Sequence, residues 1–65
     1  MKAYNYTFKE IEGFAQEIFK EMSKYMPIHE SVDYLIENKN LTPRDVNALW
    51  NELYVMKGKE NIKWN

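Results

Sequence analysis

Two helix-start signals of the same kind constrain the fold of this chain more than any other feature. Thr7 is followed three residues later by Glu10, and Thr42 is followed at the same spacing by Asp45. In such a capping box, each side chain accepts a hydrogen bond from a backbone N–H that has no partner inside the helix. Apolar residues flank both boxes as hydrophobic staples, in the pairs Tyr6/Ile11 and Leu41/Val46. Helices are therefore predicted to begin at Thr7 and Thr42.

A first helix is predicted over residues 7–25 because apolar residues recur there at three- and four-residue spacing. At about 100° per residue, they fill an arc of about 140° on one side of the helix. This predicted buried stripe contains Phe8, Ile11, Phe14, Ala15, Ile18, Phe19, Met22, Tyr25 and Met26.

A second helix is predicted over residues 27–38. Pro27 disfavours helical geometry at the preceding residue and suits the first position of a new helix. Asn38 and Asn40 then indicate a turn, because asparagine tolerates a left-handed backbone conformation. The apolar face of this helix consists of Ile28, Val32, Leu35 and Ile36.

A third helix is predicted over residues 42–57, with Pro43 at its first helical position. Gly58 after Lys57 predicts its end, because helices commonly stop at a glycine in the left-handed conformation. The predicted buried stripe is Val46, Leu49, Trp50, Leu53 and Met56. The predicted fold class is all-α, a compact three-helix bundle of helices 7–25, 27–38 and 42–57 that forms a single domain over residues 1–65.

Large side chains alternate with smaller ones in the short segments at both ends, Tyr4 and Tyr6 in one and Ile62 and Trp64 in the other. The two segments could pair as a minimal two-stranded ribbon or pack on the bundle. Packing on the bundle is the favoured expectation.

Composition excludes several kinds of chemistry. The 65 residues contain no cysteine and one histidine, His29, so thiolate metal sites and cysteine nucleophiles are absent. His29 with Asp33 alone makes a poor metal site. We see no catalytic triad and no phosphate-binding glycine loop, and we expect little room for a ligand pocket of about 300 Å³ or more. A non-enzymatic protein without catalytic residues, metal or cofactor is therefore expected.

The charge balance gives the chain no strong attraction to polyanions. Nine basic and ten acidic residues leave a net charge of −1, so no overall positive field draws it toward nucleic acid or anionic lipid. We see no apolar run long enough for a signal peptide or a membrane span. A cytoplasmic protein that does not associate with membranes is expected.

An acidic stripe lies on the second predicted helix. Glu30, Asp33 and Glu37 fall within an arc of about 60°, with Tyr34 beside them. Like charges at this spacing repel one another. The stripe is therefore either a solvated face or a surface that recognises a basic partner.

The predicted outward face of the third helix carries a single charge. Its residues are Arg44, Asn47, Ala48, Asn51 and Val55. Small and amide-bearing side chains let another surface approach closely. The face is either an ordinary solvent face or a contact with a partner protein, with a second copy of this chain in a homodimer, or with DNA.

Residues 32–51 resemble in part the helix-turn-helix family of DNA-binding proteins. The buried positions of that pattern are filled by Leu35, Leu41, Val46 and Leu49. The resemblance implies that the third helix reads DNA, because arginine suits guanine and asparagine suits adenine. The implied DNA contacts are Lys39, Arg44, Asn47 and Asn51. The chain departs from the pattern at Ile36, Lys39 and Asn40, where the family keeps a small residue, a buried residue and a glycine.

Two functional hypotheses follow. The leading one is a protein-binding regulator, inhibitor or adaptor whose size suits a phage or mobile-element inhibitor of a host protein. Its predicted contacts are Glu30, Asp33, Tyr34, Glu37, Arg44, Asn47, Ala48, Asn51 and Val55. The alternative is a helix-turn-helix transcriptional regulator whose recognition helix is the third helix.

Overall fold

Three α-helices and one turn of 3-10 helix make up the described part of the chain. The computed structural model describes residues 3–60, and the side chains of residues 3–58. The elements are α1 (Phe8–Lys20), a 3-10 turn (Met22–Lys24), α2 (Ile28–Lys39) and α3 (Pro43–Glu60). Residues 3–60 contain no strand. The predicted all-α, three-helix architecture is confirmed.

Both predicted capping boxes are present. The backbone N–H of Thr7 donates to Oε1 of Glu10 at 2.8 Å, and the Glu10 N–H donates to Oγ1 of Thr7 at 3.2 Å. At α3 the Thr42 N–H donates to Oδ2 of Asp45 at 3.0 Å, and the Asp45 N–H donates to Oγ1 of Thr42 at 3.1 Å. A cap of this kind stabilises its helix by about 1 kcal/mol.

α1 ends earlier than predicted, at Lys20 rather than near Tyr25. The Ser23 hydroxyl donates to the carbonyl oxygen of Phe19 at 2.8 Å, and the backbone tightens so that the Tyr25 N–H donates to the Met22 carbonyl at 3.0 Å. A serine hydroxyl that bonds a carbonyl four residues back bends and weakens a helix. Tyr25 therefore turns outward and is 83% exposed, so the prediction that it lies in the core was wrong.

Phe8 also departs from its predicted place in the buried stripe. It is the first residue of α1 and is 69% exposed. A helix end has neighbours on one side only, so a favourable position on the helical wheel does not ensure that another element covers it.

The connections around α2 follow the prediction with small shifts. Pro27 is the extended N-cap, with φ −60° and ψ 155°, rather than the first helical residue. Asn40 takes the left-handed conformation, with φ 58° and ψ 51°. Asn38 stays inside the helix, where its side-chain amide donates to the carbonyl of Tyr34 at 2.8 Å.

α3 continues to Glu60, past the predicted stop at Lys57–Gly58. Gly58 does not have a positive φ, so the predicted C-terminal signal was wrong. Glycine permits the left-handed conformation without imposing it, and the helix runs through it.

The core lies mainly between α1 and α3, with α2 covering one end. Its buried apolar residues are Ile11, Ala15, Ile18, Phe19, Ile28, Val32, Leu35, Leu41, Ala48, Leu49 and Leu53. Ala48 is buried, so its predicted place on the outward face of α3 was wrong. The buried face of α3 includes Asp45 and Ala48 as well as Leu49 and Leu53, because α3 turns this side toward α1 and the N-terminal segment.

Within residues 3–60, the helices are too short or too polar for any of them to cross a membrane.

Candidate protein-binding surface

An open cleft on the outside of α2 brings together the four residues of the predicted acidic stripe. Glu30, Asp33, Tyr34 and Glu37 line it together with Met26, around a space of about 320 Å³. The three carboxylates are exposed to solvent, and the Tyr34 side chain is 51% exposed. We call this the acidic cleft.

A second open cleft lies beside it, between the 3-10 turn and the C-terminal half of α2, and borders a space of about 530 Å³. Met26 and Tyr34 line both clefts, so the two form one continuous surface on either side of the Tyr34 ring. The apolar residues of this second cleft, which we call the methionine cleft, are Met22, Tyr25, Met26, Tyr34 and Leu35.

The charge around the two clefts is unbalanced. Glu17 and Lys39 also line the methionine cleft, so Lys39 is the one cation beside four carboxylates among the described lining residues. Helical positions three and four apart lie on the same face, which is why α2 presents three of these carboxylates side by side. The surface therefore combines apolar and aromatic groups with a negative rim.

Sequence reasoning missed the contribution of Met22, Tyr25 and Met26 to this surface, because it assigned them to the core stripe of a longer first helix. The 3-10 turn moves them to the edge of the bundle, where Met22 and Met26 are half-buried. Pro27 restricts only Met26, the residue directly before it, so it did not signal the earlier turn at Met22–Lys24.

The outer face of α3 is narrower than predicted. Arg44, Asn47 and Asn51 are exposed, and Val55 is 51% exposed, but Ala48 belongs to the core. None of these exposed side chains lines the acidic cleft or the methionine cleft. Their predicted role in binding a partner stays a prediction.

The N-terminal segment packs across the start of α3, as expected. The Asn5 N–H donates to both carboxylate oxygens of Asp45, and the Thr42 hydroxyl donates to the Ala3 carbonyl at 2.6 Å. The Tyr6 hydroxyl donates to the Lys39 carbonyl. Ile62 and Trp64, the other half of the predicted ribbon, lie outside the described residues.

Asp45 is wholly buried, yet it is held in its charged form. Burial alone would raise the pKa of its carboxyl group, but hydrogen bonds from the backbone N–H groups of Thr42 and Asn5 outweigh that effect and lower the pKa below its usual value. The carboxylate therefore serves the fold, and it lies away from both clefts on α2.

A smaller cleft forms where the N-terminal segment crosses α1 and α3. Tyr4, Tyr6, Phe8, Ile11 and Ala48 line about 220 Å³ of mainly apolar space. We call this the N-terminal cleft.

His29 does not line any of these three clefts. Its ring lies 5.0 Å from that of Trp50, between ring centroids, so it packs on the outside of the bundle. The described residues contain no group of three or more His, Cys, Asp or Glu side chains that could hold a metal ion.

Comparisons of the chain with protein family models, with curated proteins and with solved structures find no significant match.

Proposed function

We propose that this protein is a small, non-enzymatic protein-binding module that recognises a basic partner surface through the acidic cleft of α2. It would act in the cytoplasm as a regulator, inhibitor or adaptor. The observation that carries the proposal is the grouping of three exposed carboxylates around the half-exposed ring of Tyr34.

Physical chemistry supports a basic partner. Neighbouring like charges on a helix cost a few tenths of a kcal/mol per pair, and cationic groups placed over them would remove that cost. Complementary charge also speeds the encounter of two proteins and excludes partners of the wrong sign. Tyrosine is enriched among the residues that contribute most to binding, because it buries a large area and loses little conformational freedom.

The outer face of α3 is proposed as a second, weaker contact. Arg44, Asn47, Asn51 and Val55 form an exposed face with one charge, which another protein could approach without desolvating many charged groups. The alternative, DNA binding by the same face, has less support. The acidic cleft on α2 would repel phosphate groups.

Affinity capture from cell extract, with and without nuclease, tests the class of partner. The bait would be the full chain, compared with the double variant Asp33→Lys/Glu37→Lys. A matched control, Glu12→Lys/Glu21→Lys, makes the same change in net charge at exposed positions of α1 and its C-cap, outside both clefts on α2.

We expect a protein that the wild-type chain and the control retain after nuclease treatment and that the Asp33/Glu37 variant loses. Capture that disappears with nuclease would favour the DNA alternative, and Arg44→Ala would then weaken a specific complex by about 1–3 kcal/mol. Retention of the same protein by the Asp33/Glu37 variant would contradict the proposed surface.

A further inference from the structure

We infer that the element recognised by this surface is a basic amphipathic helix that lays its apolar side in the methionine cleft and its basic flank along the acidic cleft. This inference rests on the proposed function and names the partner's shape and chemistry.

The surface has an apolar part that suits a variable apolar side chain. Met22 and Met26 are half-buried at its edge, and methionine is unbranched and polarisable, so it can adapt to the side chain that meets it. Tyr25 and Tyr34 add two aromatic rings, 83% and 51% exposed. Tyrosine and methionine are both enriched at the centres of protein–protein interfaces.

The carboxylates on the other side of Tyr34 determine which charged groups the occupant must carry beside its apolar anchors. Glu30, Asp33 and Glu37 line the acidic cleft, while Met26 and Tyr34 belong to both clefts. An occupant that covers both must therefore present apolar groups and cationic groups on adjacent strips of its surface. Lysine and arginine are suited to the acidic strip, because their long stems can reach it while the backbone lies over the apolar strip.

A helix meets this requirement better than an extended strand does. Successive side chains of a strand point to opposite faces, so a strand that buries its apolar side chains turns the alternate ones away from the surface. A helix carries an apolar stripe and a charged flank side by side over several turns. Residues 3–60 also offer no sheet edge to which a strand could add.

The dimensions agree with a helical occupant. α2 is 12 residues long, which gives an edge of about 18 Å at 1.5 Å per residue. The methionine cleft borders the C-terminal half of that length, so one to two turns of a docked helix would place anchors at three- and four-residue spacing in the cleft from one face.

A defined peptide tests the inference. The probe is a fluorescently labelled synthetic helix with leucine on one face and lysine on the adjoining flank, titrated with the full-length chain and followed by fluorescence anisotropy. A peptide of identical composition but scrambled order keeps the charge and removes the two faces. Tyr34→Ala removes the shared ring, and Phe8→Ala is the matched control at an exposed aromatic residue of the N-terminal cleft.

We expect the amphipathic peptide to bind at least about tenfold more tightly than the scrambled one, and Tyr34→Ala to weaken it by at least about tenfold, as for a central aromatic anchor. Phe8→Ala should leave the affinity unchanged. Circular dichroism of each variant checks that the bundle remains helical.

Each contrary result has a distinct meaning. Equal binding of both peptides, lost in Asp33→Lys/Glu37→Lys, would overturn the helical occupant while leaving the acidic surface in place. Loss of binding in Phe8→Ala but not in Tyr34→Ala would move the contact to the N-terminal cleft and overturn the inference. If the chain dimerises at higher concentration and the dimer blocks peptide binding, a second copy of this chain is the occupant. That result would also overturn the inference. If the amphipathic peptide does not bind but affinity capture still depends on Asp33 and Glu37, the helical partner is rejected and the proposed function is kept.

Discussion

The carboxylate of Asp45 accepts the backbone N–H of Asn5 at 3.2 Å on Oδ1 and 3.0 Å on Oδ2. The two residues are 40 positions apart, so a helix cap has also become a tertiary contact. The same Oδ2 accepts the Thr42 N–H at 3.0 Å. A wholly buried carboxylate is tolerated only when its oxygens are hydrogen-bonded, and here those bonds fix the N-terminal segment to the start of α3.

Replacing Asp45 with asparagine should destabilise the bundle by about 1–3 kcal/mol. The amide keeps the size of the side chain but turns one acceptor into a donor that faces backbone N–H groups. Urea unfolding gives the free energy. Asp33→Asn, on the exposed face of α2, is the control and should change it by less than about 0.5 kcal/mol. Equal losses in the two variants would show that the Asp45 contacts do not stabilise the fold.

Stability should depend on pH through the same carboxyl group. Because its pKa in the folded chain lies below the ordinary value of 3.8, the unfolded chain binds the proton more readily. The contribution of Asp45 is therefore fully present above pH 3.8 and is lost as the pH falls through the lower folded pKa. The measurement is the difference in unfolding free energy between wild type and Asp45→Asn from neutral to acid pH. If the difference in unfolding free energy between the two chains becomes larger as the pH falls, the lowered pKa of Asp45 is contradicted.

Asn40 offers a test of backbone conformation. Its φ of 58° is the one positive value among the described residues, and glycine adopts that conformation without the steric cost of a Cβ. Asn40→Gly should keep or slightly raise the stability, whereas Asn40→Ala should lower it by about 1 kcal/mol. Thermal unfolding of both variants decides this, and the opposite order would contradict a left-handed residue at the turn.

Gly13 should be replaceable by alanine with a gain in stability. It lies inside α1, and a Cβ built on it meets nothing within 4 Å. Alanine favours a helix interior by up to about 1 kcal/mol over glycine, so the melting temperature of Gly13→Ala should rise. A fall would mean that another surface packs against this position in solution.

The helices could be predicted from sequence because their signals are local. Thr7 and Thr42 with their partner acids start helices through bonds spanning three residues, and apolar periodicity needs only one face to be covered. Tyr25, Ala48 and Gly58 were mispredicted for a different reason. The end of a helix and the rotation of its buried face depend on which other elements pack against it, and those contacts are distant in sequence.

The sequence predicted one half of the candidate surface, the acidic half, and missed the apolar half. Glu30, Asp33 and Glu37 share a face of one helix, so their grouping followed from helical spacing. The apolar half of the surface did not, because Met22 and Met26 reach it only through the 3-10 turn. Asp45 shows the same limit, since its cap to Thr42 is local and its bond to Asn5 requires the folded chain.

The affinity of the captured partner for charge-reversed chains tests the central claim most directly. Isothermal titration calorimetry would compare wild type with Asp33→Lys/Glu37→Lys and with the control Glu12→Lys/Glu21→Lys. Because reversal turns attraction into repulsion at the acidic cleft, Kd should rise by at least about tenfold in the first variant, and the control should stay close to wild type. Equal affinity for all three chains, or equal losses in both variants, would contradict recognition through α2.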